Sequence, residues 1–186
     1  MKDVASARKL ALSNAADSIP SLASSLNNLG IMLSGLGRRG EALQPTQEAV
    51  TLYQQLAADN PAYLNDLASS LNNLGIRLSE LGRRAEAPEP AHQAVAFRRQ
   101  LAADNPAYLP DLAMSLNNLG NGQSELGRFE DATVTRELAA RHVAEAFRAD
   151  HPIALRARAT LASSYRSAGR TDEAIAIEKQ VANQCE

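Results

Sequence analysis

Leucines at positions 67, 71, 74, 78 and 81 recur at i, i+4, i+7, i+11 and i+14, with polar residues between them. That spacing lays an apolar stripe along one face of a helix. Gly82 follows as a residue able to take the left-handed conformation that ends helices. A second pattern from about Ala85 to Ala103 places Ala87, Ala91, Ala94, Val95 and Leu101 on one side and predicts a second helix. Asp-Asn-Pro closes it at 104–106, and the proline, with no N–H to lose, suits the start of the next helix. The predicted unit is a hairpin of two helices.

The unit is copied. SLNNLG stands at 25–30, 70–75 and 115–120, and LAADNPAYL at 56–64 returns at 101–109. Gly-Arg pairs begin at 37, 82, 127 and 169, so the period is 45 residues twice and then 42. Four hairpins result, over 20–60, 61–105, 106–150 and 151–186, within a single domain spanning 1–186. Residues 1–19 are expected to form an extra N-terminal helix, of which the first sixteen or so resemble a worn copy of a second helix. The 45-residue units carry about one additional turn, containing Tyr63 or Tyr108, in or before the first helix. Prolines at 45, 88 and 90 fall where a second helix should run, and an interior proline costs about 3 kcal/mol. The second helix of the second unit is therefore expected to begin late, near Pro88, or to be distorted, and Pro90→Ala to raise stability.

Composition narrows the function classes. The chain has 186 residues, 45% hydrophobic, and is rich in helix formers. A formal charge of −2, with both signs scattered, lacks the basic stripe that nucleic acid requires. No stretch is apolar for long enough to predict a membrane span. The charged N-terminus argues against a signal peptide, which makes a cytoplasmic location the expectation. Cys185 is the single cysteine, so neither a disulfide framework nor a thiolate metal cluster is predicted. His92, His142 and His151 fall on different units without catalytic spacing; no enzyme, cofactor or metal is expected.

The repeat resembles the tetratricopeptide repeat. Leu29-Gly30, Leu74-Gly75 and Leu119-Gly120 match its Leu-Gly pair, with Leu161-Ala162 and Tyr165 in the last unit. Ala42, Ala87, Ala132 and Ala174, each five residues past the turn glycine, match its close-packing alanine. The long period and the Leu-Asn-Asn-Leu motif are similar to the extended repeats of kinesin light chains and related bacterial signalling proteins. Leu26, Leu71, Leu116 and Arg158 replace the family's tryptophan, so packing between hairpins should be aliphatic.

The resemblance implies an all-α superhelical solenoid whose first helices line a concave groove that binds a peptide or partner protein. It places Asn27, Asn28 and Ile31 there, then Asn72, Asn73 and Ile76, then Asn117, Asn118 and Asn121, with Arg156 and Arg166 in the last unit. An asparagine amide offers two donors and an acceptor, so a row of them can pair with an extended main chain. Each asparagine can equally bridge hairpins or satisfy a helix carbonyl, as a buried amide must. The arginines suit an acidic or C-terminal carboxylate, or are simply solvated. Self-association through the terminal helices, and a sensor arm of a larger signalling protein, are the alternative functions.

Overall fold

In the computed structural model the backbone is described for residues 2–182 and side chains for 18–182. Among these residues eight α-helices follow one another: α1 Lys2–Gly35, α2 Arg39–Asp59, α3 Leu64–Glu80, α4 Pro88–Asp104, α5 Leu109–Glu125, α6 Phe129–Ala146, α7 Pro152–Ser167 and α8 Thr171–Ala182. Among the described residues there is no strand, and no helix is long and apolar enough to cross a membrane.

All four hairpins turn in the same way. Gly37, Gly82, Gly127 and Gly169 have φ between 74° and 78°, the left-handed region that glycine enters without strain. The following arginine N–H then reaches back to the carbonyl five residues earlier, as Arg83 does to Leu78 at 2.9 Å. The turn arginines fork onto a glutamate three residues on, Arg38 to Glu41 and Arg83 to Glu86, at the surface.

In the first three hairpins the two helices close on a glycine–alanine contact, and in the fourth Ala162 takes the glycine's place. A Cβ added to Gly75 would lie 3.1 Å from the carbonyl oxygen of Ala87, and Ala42, Ala132 and Ala174 are fully buried at the matching place. Between hairpins the core is mostly aliphatic, with Val50, Leu67 and Leu71 in one cluster and Val95, Leu112, Leu116 and Val143 in another, but Tyr53 is buried in the first, with Tyr63 and Phe97 packed against it.

Every helix packs on its neighbours in sequence, α1 also meets α3, and α3 meets α5. First helices therefore lie on the tight side of the stack, and second helices are splayed on the outside. The expected extra turn is a 3₁₀ turn before α3 and α5, Pro61–Tyr63 and Pro106–Tyr108. Asn60 and Asn105 begin these turns, each accepting an N–H two residues on at 3.0 Å.

Two features depart from the sequence reading. No helix boundary separates residues 2–19 from the first hairpin, because α1 runs unbroken through Pro20. The resemblance of the first sixteen residues to a worn second helix lies outside the described side chains. The second concerns the prolines. The helix of the second hairpin does begin late, at Pro88, so Pro90 occupies its third position, where the N–H has no intrahelical acceptor anyway. The interior-proline cost expected at Pro90 is thus avoided, whereas Pro45 lies well inside α2.

Candidate functional site

The asparagine pairs sit on the tight side of the stack, and identical letters meet different neighbours. Asn73 Nδ2 donates to Asn27 Oδ1 at 3.0 Å, joining the first helices of hairpins one and two. Asn72 is 4% exposed and donates through Nδ2 to Ser115 Oγ at 2.8 Å, joining hairpins two and three. Its Oδ1 is buried without a hydrogen-bond partner. Serines about two turns further along repeat the pattern: Ser34 donates to Glu80 at 2.7 Å, and Ser79 donates to Glu125.

The third pair is different. α7 carries Ala157 where α5 carries Ser115, so the hydroxyl that Asn72 finds has no counterpart for Asn117, and both residues line the same cleft. Neither Asn117 nor Asn118 hydrogen-bonds another described residue. Together with exposed Met114, Ile153, Arg156 and Thr160 they line a cleft of about 500 Å³ between α5 and α7. Arg156 is exposed and pairs with no carboxylate among the described residues. Asn121 also borders the cleft, but its Oδ1 accepts from Arg136 Nη2 at 2.7 Å.

The remaining expected positions fall elsewhere. Asn28 and Ile31 are exposed on α1. Ile76 lines a smaller cavity between α3 and α5. Arg166 does not line the cleft: its guanidinium grips Glu178 of α8 at 2.9 and 2.7 Å, so its charge is already partnered.

Three buried arginines were not anticipated. Arg98, 1% exposed, reaches from α4 to the Asp111 carbonyl at 2.8 Å and Ser69 Oγ at 2.7 Å, tying α3 to α5. Burial holds its pKa below the usual arginine value, opposed by the Asp111 carboxylate. Arg136 reaches from α6 to Ser164 at 2.8 Å and Ser124 at 3.1 Å, and burial likewise lowers its pKa. Arg77 reaches the Gly30 carbonyl at 3.3 Å. The usable signal was an arginine where other copies carry small or apolar residues: Tyr53 and Val143 match Arg98, and Thr46 and Ala91 match Arg136.

The histidines stand on separate elements. His92 is exposed on α4, and His151 caps α7 by accepting the Ile153 N–H at 3.2 Å. Among the described residues no group of three or more His, Cys, Asp or Glu is placed to hold a metal.

Family models described as tetratricopeptide repeat match residues 22–62 and 67–107, and again 111–186. The chain belongs to the tetratricopeptide repeat family. It is thus a repeat module of a family that generally mediates contacts between proteins and is generally a non-enzymatic scaffold. Among solved structures, BtubC (BKLC) from P. vanneervenii is similar at 20% identity with a TM-score of 0.75, over 89% of this chain. This tetratricopeptide repeat chain spans 64% of BtubC, just under two thirds. MamA is similar at 17% identity and a TM-score of 0.60, over 92% of this chain and 83% of its own. No curated protein matches the sequence.

Proposed function

We propose that the cleft between α5 and α7 binds an extended segment of a partner protein. The observation that carries this is Asn117 and Asn118, two amides without hydrogen-bond partners among the described residues, set beside exposed Met114 and an Arg156 that pairs with no carboxylate among them. The amides serve main-chain N–H and C=O groups, the methionine an apolar side chain, and Arg156 a carboxylate. Each hydrogen bond adds about 0.5–1.5 kcal/mol net, and micromolar binding needs about 8 kcal/mol. The asparagines alone fall short, so the apolar contact and the charge must contribute.

A random peptide library displayed on phage and panned against the whole chain supplies ligands for the test. Asn117→Ala with Asn118→Ala should weaken the selected peptides about tenfold, with circular dichroism and melting temperature unchanged. Unaltered affinity in that variant would sink the reading.

A second reading, self-association, has one observation in its favour. The stripe of α1 repeats the residues by which α3 receives α2, and Leu22 and Leu29 on it are 48% and 45% exposed. A mass that rises with concentration in light scattering would support that reading.

A further inference from the structure

Three joints between successive hairpins place matched residues around one spot. At each joint these are a first-helix glycine, a second-helix residue, and a residue on the next first helix. In the first joint they are Gly30, Thr46 and Arg77; in the second Gly75, Ala91 and Gly122; in the third Gly120, Arg136 and Ser164.

A guanidinium occupies this spot in the first joint and in the third. Arg77, 6% exposed, donates to the Gly30 carbonyl and lies 3.3 Å from Glu80 Oε2. Arg136 enters the third from the opposite helix, packs where a Gly120 side chain would stand, and donates to Ser124, Ser164 and Asn121. In the second joint both arginine positions carry small residues, Gly122 and Ala91. The result is a cavity of about 180 Å³ opening beside Ile76 and Asn118.

The acceptors remain in place around it. Glu125 matches Glu80 and receives the same serine hydrogen bond, from Ser79, but pairs with no cation among the described residues. Glu80 itself also lines the cavity. So does Asn72, 4% exposed, whose Oδ1 is buried and unpartnered. A buried acceptor of that kind is destabilising until a donor reaches it. An arginine side chain matches this demand: a planar cation with five donors, shaped to fork onto carboxylate and amide oxygens.

We propose that the cavity between α3 and α5 receives an arginine side chain from the bound partner segment, completing in trans the guanidinium that Arg77 and Arg136 supply to the flanking joints. The inference rests on the peptide-binding reading above and adds to it a preferred residue. The segment in the α5–α7 cleft continues over α5 towards α3, and its arginine turns down between them.

The test uses the whole chain and Nα-acetyl-arginine amide, followed by ¹H–¹⁵N NMR. Saturable shifts are expected at the backbone amides of Gly75, Gly122 and Glu125, with Nα-acetyl-lysine amide weaker. Glu125→Gln should weaken binding about tenfold, the loss of a charged acceptor. Gly122→Arg should abolish it by supplying the guanidinium within the chain. Equal response to the lysine and arginine probes, or to Nα-acetyl-glycine amide, overturns the proposal, as does unchanged binding in Glu125→Gln. Peptides from the panning experiment separate the two readings: sensitivity to Asn117→Ala with indifference to an arginine in the peptide leaves the groove standing and removes the arginine site.

Discussion

Arg98 Nη2 donates to Ser69 Oγ at 2.7 Å from a side chain that is 1% exposed, so a buried cation spans from the second hairpin's outer helix to its inner one. The same guanidinium holds the Asp111 carbonyl of the third hairpin. Truncating it removes a long packed stem as well as the charge. Arg98→Ala should therefore cost about 3 kcal/mol in urea denaturation. Arg98→Met, which refills the volume without a charge to desolvate, should recover most of that loss.

Glycine substitutions should change sign with position. Gly35, in α1, has nothing within 4 Å of an added Cβ, so Gly35→Ala should gain up to about 1 kcal/mol from helix propensity. At Gly75 the new methyl would press on the Ala87 backbone carbonyl at 3.1 Å. Gly75→Ala should instead lose about 1–2 kcal/mol, since backbone on both sides must shift. Melting curves of the two variants check both signs.

Pro45 and Pro90 share a position in the repeat but not in their helices. Pro45→Ala restores an N–H to the interior of α2 and should stabilise by about 1–2 kcal/mol, after loss of the ring's packing. Pro90→Ala, in the first turn of α4, should stay within about 0.5 kcal/mol. Replacing Pro88 and Pro90 together should let α4 grow back towards Arg84 and raise the far-ultraviolet helical signal.

Tyr165 gives a pH signature. Its phenol is pushed up to about 12 by burial, then by the hydrogen bond it donates to Glu137 at 2.7 Å, against Arg170 stacked on the ring. The neutral phenol is favoured in the fold, so the unfolded chain releases its proton first. The contribution is complete below about pH 10 and is lost as the pH rises towards 12. Tyr165→Phe should show a shallower fall in stability across that window, measured by denaturation at fixed pH steps.

The hairpins, their turns and their number could be read from leucine spacing and the Gly-Arg pairs, because periodicity and turn chemistry are local. Joints were not legible, since a stripe tells which face is buried but not what meets it. Asn72 and Asn117 are the same letter in the same motif, yet one is held by Ser115 while the matching position for the other is Ala157, which offers no hydroxyl. Likewise no local pattern marks Arg77 as a side chain held by the Gly30 carbonyl and set beside Glu80. The late start of α4 was legible, because two prolines at 88 and 90 leave a helix one way to avoid losing bonds.

Neighbour-only packing makes this chain editable at its seams. A substitution on α5 is felt by α3, α4 and α6 and goes unnoticed at the α1–α2 end. Copies that began alike can thus drift apart one junction at a time, each acquiring its own chemical preference without renegotiating the rest of the molecule.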